Sequence, residues 1–278
     1  MTEYVLPPSN GADSARLDVQ HTVFLRTLGS LNKAPLNTLK PLKVLDVGCG
    51  NGNWAIAFAR EHPNASVLGL DISASSQWTT APPNCSFRKL SVEVPETWSA
   101  LSEGYDYIHA RMIMVFVRSW PNLLRRCYDH LAPSGWLEIQ DLQFPIQCLG
   151  DVTDRSVCKT LQWSDLMIKG AQLAGLSPAG ALQFAYILPR LGFQDVTLED
   201  RQMFFGDWPE SEENKELGRL GLENVRMGGE GWSRTLFTKV LGMSPEENKE
   251  ITDGMYQEAL EGKVKAFLPI KLCWARKP

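Results

Sequence analysis

Residues 44–54, Val-Leu-Asp-Val-Gly-Cys-Gly-Asn-Gly-Asn-Trp, constrain the fold of this chain more than any other stretch. An apolar run reaches Asp46, glycines follow at alternate positions from Gly48, and a helical pattern begins at Trp54. This order predicts a strand, a tight loop and a helix. Glycine permits positive φ and a close approach of the backbone to a ligand, and the helix N-terminus offers unpaired N–H groups. We expect a nucleotide-like ligand here; the alternative is a plain tight connection.

A second acidic residue lies at the distance from the loop that a nucleotide site requires. Residues 65–71 form a second predicted strand, which ends at Asp71. A carboxylate there can accept two hydrogen bonds from a ribose diol, although an N-cap role is the alternative. The dinucleotide fingerprint would need glycine or alanine at position 53. The chain has Asn53, so the spacing argues against NAD.

Composition narrows the class of protein. The 278 residues are 44% hydrophobic, which suits one large domain or a core domain with a cap. A net charge of −4 with scattered Lys and Arg disfavours nucleic acid as the main partner. No apolar run approaches the roughly 18 residues of a membrane span, and the start lacks signal-peptide features. The six cysteines form no C-x-x-C pair and the four histidines lack ligand spacing. We predict a soluble, cytoplasmic protein without a metal.

An N-terminal helical segment, residues 1–40, precedes the predicted sheet. Leu17, His21 and Phe24 share one helical face, so this helix either folds over the ligand mouth or simply packs on the core. Further strands are expected near residues 85–90, 105–109 and 136–140. The first β-α-β unit then commits the chain to a parallel sheet.

Ligands of open α/β sheets collect at the carboxyl ends of the strands. Position alone therefore selects five site candidates: Leu90, Ser91, His109, Ala110 and Arg111. His109 has a pKa range suitable for a base, but a packed structural histidine is the alternative. Arg111 could meet a ligand carboxylate or form an ordinary salt bridge. Three polar residues near the end of the fifth strand are expected to border an acceptor pocket: Glu138, Gln140 and Asp141.

Helices are predicted from Ser119, from Ser177 and from the capping box at Ser244. Insertions around residues 150–190 and 206–260 should cover the substrate. Several large side chains are either pocket lining or plain core: Trp163, Met167, Met203, Trp208, Met227 and Trp232.

The ordered series of segments resembles the fungal secondary-metabolism methyltransferases, the group that includes LaeA-like proteins. The resemblance rests on residues 4–7, 16–21, 34–35, 44–54, 82–84, 105–111, 135–141, 206–209 and 276–278. It implies a class I, seven-stranded Rossmann-like α/β sheet over residues 41–278 with a helical cap, and methyl transfer from S-adenosylmethionine. By the same resemblance, Asp46 helps to hold the amino group of the cofactor.

The predicted cofactor-binding residues are Asp46, Gly48, Cys49, Gly50, Asn51, Gly52, Trp54, Asp71, Ile72, Leu90, Ser91, Val92, His109 and Arg111. One corner departs from the family. Relatives carry acidic residues after the third strand, whereas Phe87 is followed here by Arg-Lys-Leu-Ser. The Ser91 hydroxyl can accept one hydrogen bond from the adenine amine, and Glu93 is the alternative.

The expected reaction is methylation of a small, mostly apolar metabolite at a hydroxyl oxygen, with nitrogen or carbon acceptors as the open alternatives. His109 or an acid near Asp141 could serve as a base if the acceptor enters protonated. Two alternatives remain: a LaeA-like regulator, disfavoured by the short N-terminal lead, and a non-methylating cyclase or isomerase on the same fold. The sequence does not predict an oligomeric state.

Overall fold

The computed structural model describes residues 14–150, 154 and 156–278. The strands are β1 Lys43–Val47, β2 Ser66–Asp71, β3 Cys85–Lys89, β4 Tyr105–Arg111, β5 Leu131–Leu142, β6 Gln147–Leu149, β7 Gln194–Phe205 and β8 Lys265–Arg276. The α-helices are α1 Ser14–Leu28, α2 Asn53–Glu61, α3 Pro95–Ser99, α4 Trp120–His130, α5 Lys159–Leu173, α6 Phe184–Leu191, α7 Glu212–Arg234 and α8 Pro245–Leu260.

The strands form one mixed sheet in the order β3-β2-β1-β4-β5-β8-β6, with β7 also paired to β8. Strands β1 to β5 pair in parallel, and β8 runs antiparallel to β5, β6 and β7. Within the described residues the sheet has eight strands, one more than the expected seven; the short β6 has three residues and pairs with β8 beyond the end of β5. The predicted α/β class and Rossmann-like sheet are confirmed.

Local sequence signals set several element boundaries as predicted. Helix α2 begins after Gly52 and ends before His62, next to Pro63. The hydroxyl oxygen of Ser119 accepts a hydrogen bond from the Asn122 N–H at the start of α4. Ser244 forms the predicted capping box at α8.

Other elements differ from the sequence prediction. A 3-10 helix, Ser76–Thr80, interrupts the expected loop between β2 and β3. The helix expected from Ser177 begins instead at Phe184, after a 3-10 turn at Gly180–Gln183. The sequence does not predict the long helix α7, because its three glycines near residue 230 weaken the helical pattern. It ends in a π-helical segment, Thr235–Val240.

Apolar cores lie on both faces of the sheet. Strands β1 and β4 are almost wholly buried, as parallel strands covered on both faces should be. Within the described residues, no helix combines the length and apolarity that crossing a bilayer requires. The N-terminal lead before Ser14, part of the predicted lid, lies outside the described residues.

Candidate active site

A cavity of about 600 Å³ opens at the carboxyl ends of β1, β2 and β4. Its size is within the range of small-molecule sites. The glycine-rich loop, α1, the segment after β4, α5 and α7 all contribute to its lining. The predicted position at the carboxyl edge of the sheet therefore coincides with the main cavity.

The glycine-rich loop turns tightly beside this cavity. Gly48 and Gly50 have φ values of +73° and +57°, in the left-handed region that favours glycine. The Gly48 and Cys49 amides both donate to the Leu70 carbonyl oxygen at 2.9 Å. A Cβ on Gly48 would lie 2.6 Å from the Ile113 Cγ2 atom. Glycine at position 48 thus permits both the turn and the close approach of the segment after β4.

Asp46 and His109 are neighbours on β1 and β4 and form a buried pair. The Asp46 Oδ1 atom lies 2.8 Å from His109 Nδ1, and the His109 ring stacks on Trp54 with centroids 3.6 Å apart. His109 is fully buried. In the described part of the chain, Asp46 Oδ2 and His109 Nε2 have no hydrogen-bond partner. This geometry favours the packed interpretation of His109 and gives Asp46 one oxygen for a ligand.

Asp71 connects the end of β2 to the glycine-rich loop. Its Oδ2 atom accepts a hydrogen bond from the Gly50 N–H and its Oδ1 atom one from the Ser73 N–H, both at 2.9 Å. Burial raises the pKa of Asp71, while the two amide bonds oppose that shift. Each carboxylate oxygen has a second lone pair. The residue can therefore hold the loop and still accept hydrogen bonds from a diol.

Arg111 lies at the end of β4 beside α1. Its Nη2 atom is 2.8 Å from His21 Nδ1, and its guanidinium lies over the Phe24 ring. Burial, followed by the charge of Arg111, lowers the pKa of His21 to about 4, so neutral His21 accepts this bond. Burial lowers the pKa of Arg111 to about 10, which leaves it charged at neutral pH. Among the described residues, no carboxylate forms a salt bridge with Arg111.

Helix α1 lines the cavity and also packs on the core. Arg16, Leu17 and Gln20 line the cavity, while the following turns bury apolar side chains. Asp18 Oδ1 accepts hydrogen bonds from Asn51 Nδ2 at 3.0 Å and from the side-chain amides of Asn53 and Gln77. The helix is thereby attached to the glycine-rich loop.

Most of the predicted cofactor residues line the cavity. These are Asp46, Gly48, Cys49, Gly50, Asn51, Trp54, Asp71, Ile72, Leu90, Val92, His109 and Arg111. Gly52 and Ser91 are absent from the lining, and their predicted role in cofactor binding stays a prediction. A Cβ on Gly52 would lie 2.7 Å from the Phe87 ring, so Gly52 faces β3. Glu93 lines the cavity where Ser91 was expected.

Burial raises the pKa of the Cys49 thiol well above its ordinary value, which keeps it protonated and a poor nucleophile. All six cysteines are free. Among the described residues, no group of three His, Cys, Asp or Glu side chains is placed to hold a metal ion.

The part of the cavity away from the glycine-rich loop, here called the apolar half, is lined by large apolar side chains. Its principal members are Met114, Val115, Phe116, Phe144, Trp163, Met167, Met227, Trp232 and Leu268. Four of the six Met and Trp candidates are thus lining residues, whereas Met203 and Trp208 are not. Arg226, Glu230 and Arg234 of α7 add charged groups.

Of the three polar residues expected near the end of β5, the cavity lining includes Asp141 and excludes Glu138 and Gln140. Glu138 is buried and accepts hydrogen bonds from the Lys33 and Ala34 amides and from the Tyr107 hydroxyl. It fixes the connection before β1 and does not line the cavity.

Asp141 shapes the apolar half through the backbone. Its Oδ2 atom accepts hydrogen bonds from the Ile113 and Met114 amides at 3.0 and 2.8 Å, and its Oδ1 atom accepts one from Leu142. Burial raises its pKa to about 7 although these three bonds oppose the shift. The preceding residue of the segment, Met112, has a φ of +57°. Asp141 therefore holds the strained segment after β4 against the cavity.

Sequence reasoning missed the segment after β4 and helix α7. Residues 112–117 give little signal, since they are apolar and irregular. In α7, however, Gly228, Gly229 and Gly231 are an unusual cluster for a helix interior. A Cβ on Gly228 would lie 2.3 Å from Arg16 Cδ. The cluster therefore signals a close approach of α1 and α7.

Comparison with known proteins identifies the family. Residues 19–198 match the methyltransferase domain family. Methyltransferase PytC of Aspergillus terreus is 31% identical over 273 residues, covering 98% of this chain and 82% of the relative. The secondary metabolism regulator LaeA of Aspergillus fumigatus is 31% identical over 281 residues, covering 99% and 73%. The protein-methionine methyltransferase LaeA of Emericella nidulans is 30% identical over 278 residues, covering 98% and 72%.

Solved structures share the fold at low sequence identity. The cyclopropane synthase MmaA2 of Mycobacterium tuberculosis has a TM-score of 0.54 and 15% identity, covering 93% of this chain and 84% of that one. Phosphoethanolamine N-methyltransferase 2 of Haemonchus contortus, in complex with S-adenosyl-L-methionine, has a TM-score of 0.51 and 16% identity. The match covers 95% of this chain and 52% of the Haemonchus enzyme. The chain thus spans about half of that enzyme.

The family match, the relatives and the site agree. The cavity at the glycine-rich loop has acidic residues at both positions where the resemblance and the ribose argument expect them. The chain therefore belongs to the S-adenosylmethionine-dependent methyltransferases, in the secondary-metabolism group that includes PytC and LaeA.

Proposed function

We propose that this methyltransferase moves the sulfonium methyl group of S-adenosylmethionine to an oxygen atom of a small, mostly apolar acceptor. The observation that carries the proposal is one continuous cavity with two chemical characters. Near the glycine-rich loop it presents carboxylates and an arginine, and its apolar half presents methionine and aromatic side chains. A charged donor and an apolar acceptor fit these two regions respectively.

The donor can be placed by matching charges. Asp46 Oδ2, buried and without a partner among the described residues, suits the ammonium group of the methionine part. Arg111 is a nearby cation for the carboxylate of the same part. Asp71 would accept hydrogen bonds from the ribose diol, and Leu90 and Val92 would flank the adenine. Glu93 is the acceptor that we assign to the adenine amine, in place of Ser91.

The chemistry needs mainly alignment. An acceptor oxygen attacks the methyl carbon, the carbon–sulfur bond breaks, and its electron pair stays on sulfur, giving S-adenosylhomocysteine. Holding the two groups in line can supply several kcal/mol of the barrier. His109 is fully buried against Trp54, and the Asp141 oxygens accept three amide bonds. We therefore favour an acidic hydroxyl, such as a phenol or enol, which releases its proton to water before or during transfer.

The test is turnover with a labelled donor. The purified protein is incubated with methyl-deuterated S-adenosylmethionine and a panel of phenols, enols, amines and aliphatic alcohols. We expect S-adenosylhomocysteine and a labelled methyl ether from the phenols or enols, detected by mass spectrometry. Asp71→Ala serves as the inactive control. Methylated amines with no ether, or no S-adenosylhomocysteine with any acceptor, would contradict oxygen transfer.

A protein substrate is a second candidate, favoured by one observation. A relative with 30% identity carries the name protein-methionine methyltransferase, and others are named secondary metabolism regulators. Stable co-purification of one protein partner that gains the deuterated methyl would support it.

We further propose that the protein is cytoplasmic. We also propose that nucleic acid is not its partner, since the net charge is −4 and no basic cluster is visible in the sequence.

A further inference from the structure

The indole N–H groups of the buried and half-buried tryptophans differ in whether they have an acceptor. Four indole nitrogens donate to backbone carbonyl oxygens: Trp54 to Leu31, Trp78 to Gly50, Trp98 to Val92 and Trp208 to Ala266. Trp163 is 2% exposed, yet its Nε1 atom has no acceptor among the described residues. A buried tryptophan usually finds a hydrogen-bond partner, and a buried unsatisfied donor is costly. Trp163 is also a lining residue of the apolar half of the cavity.

The ring of Trp163 is held firmly in this position. It lies 6.0 Å from the Phe144 ring and 6.4 Å from the Phe237 ring, centroid to centroid. The next residue, Ser164, is fully buried and its Oγ atom accepts a hydrogen bond from the Ile146 N–H at 2.9 Å. One turn later, Met167 also lines the cavity. Helix α5 therefore presents a fixed donor beside flexible apolar surface.

Several charged groups of this region already have partners. Arg234 Nη2 lies 2.7 Å from Glu230 Oε1, and Arg226 Nε lies 2.7 Å from Glu223 Oε2. The oxygens of Asp141 accept backbone amides. Methionine, valine, leucine and phenylalanine side chains offer no N–H or O–H donor. Trp163 is thus a fully buried side-chain donor of the apolar half that lacks an acceptor among the described residues, whereas Trp232, the other tryptophan of the apolar half, is only partly buried.

We infer that the Trp163 indole N–H donates a hydrogen bond to an oxygen of the acceptor and so fixes its orientation toward the methyl donor. The acceptor class is a flat, apolar molecule that carries a phenol, carbonyl or ether oxygen. This inference rests on the proposed function, because it names the substrate class and a positioning residue of the same site. Trp163 would act by binding and orientation, with no proton transfer.

Trp163→Phe removes the donor and keeps an aromatic ring. Trp120→Phe is the matched control: the Trp120 Nε1 atom is also buried without an acceptor among the described residues, but Trp120 is not a lining residue. It packs instead against Gly180, where a Cβ would lie 1.9 Å from that nitrogen. Both variants lose one indole N–H from a buried site. Only Trp163→Phe loses it from the cavity.

The probes are 2-naphthol and naphthalene, titrated by ligand-observed NMR into protein saturated with S-adenosylhomocysteine. The measured quantity is the ratio of the two Kd values, compared between proteins so that the different hydrophobicity of the probes cancels. We expect Trp163→Phe to lower the preference for 2-naphthol about three- to tenfold, as loss of one neutral hydrogen bond predicts. Trp120→Phe should leave the ratio at the wild-type value.

An unchanged ratio in Trp163→Phe would overturn the inference, as would failure of both probes to bind the wild-type protein. An equal loss in Trp120→Phe would also overturn it, because the effect would then be structural. Calorimetry with S-adenosylhomocysteine is run in parallel. Normal binding of S-adenosylhomocysteine with an unchanged probe ratio refutes the role of Trp163 alone, whereas absent binding refutes the proposed function.

Discussion

Asp46→Asn should weaken binding of the methionine part of the cofactor and spare the adenosine part. Asp46 is 2% exposed, with Oδ1 bound to His109 and Oδ2 without a partner among the described residues. The substitution keeps the shape of the side chain and removes the negative charge that we assign to the ligand ammonium group.

The magnitude follows from the class of bond lost. A hydrogen bond to a charged group contributes about 1.5–3 kcal/mol, and about 1.4 kcal/mol corresponds to a factor of ten in Kd. Asp46→Asn should therefore raise the Kd for S-adenosylmethionine about 10- to 100-fold. The Kd for 5′-methylthioadenosine, which lacks the amino acid part, should change less than about threefold on the same scale.

Isothermal titration calorimetry with both ligands measures the difference. Asp71→Ala is the comparison, because loss of a ribose contact should weaken both ligands by similar factors. Thermal unfolding verifies that each variant is folded. Equal losses for the two ligands in Asp46→Asn, or an unchanged Kd for S-adenosylmethionine, would refute the placement of the ammonium group at Asp46.

Three further predictions concern the surroundings of the site. Gly48→Ala should lower the free energy of unfolding by about 2–4 kcal/mol in urea denaturation, since φ is +73° and the added Cβ meets Ile113. Gly29→Ala is the control: its φ is +70° but the added Cβ would lie in open space, so the loss should be only about 1–2 kcal/mol. The pKa of His21 is about 4 in the folded protein and 6.5 in the unfolded chain, so the unfolded state takes up the proton first and stability should fall as the pH drops from 6.5 toward 4. His21→Gln should reduce this dependence of the unfolding free energy on pH, measured by denaturation across the same pH range. Glu138→Ala should cost about 3 kcal/mol or more in chemical denaturation, because it leaves the Lys33 and Ala34 amides and the Tyr107 hydroxyl without their buried acceptor, and a loss below about 1 kcal/mol would contradict that role.

The sheet and the cofactor loop were predictable because their signals are local. The apolar strand before Gly48, the acid at Asp71 and the capping box at Ser244 each define an element from neighbouring residues. The orientation of Gly52 was not predictable, because it depends on Phe87 packing from another strand. Glu138 is close in sequence to the residues expected at the pocket, but its carboxylate binds backbone amides 104 and 105 residues away, in the segment before β1.

The lining of the apolar half was the least predictable part of the site, because it depends on tertiary packing. Trp163 and Met167 could be proposed as lining or core residues, yet only the packing of α5 decides between these roles. Helix α7 supplies lining residues from a glycine-interrupted stretch whose intrinsic helical preference is weak. The Asp46–His109 pair likewise required the register of β1 and β4, which places the two residues side by side.

Strand β8 has implications for the order in which the molecule assembles. It joins the sheet between β5 and β7, and its register pairs Trp136 with Arg276. Pairings between residues so distant along a polypeptide carry a large loop-closure entropy and form slowly. The five parallel strands have nearer partners, so we expect the nucleotide-binding layer to consolidate first. Completion of the substrate chamber would then be the late event of folding, and intermediates in refolding experiments should gain affinity for the donor before they recognise any acceptor.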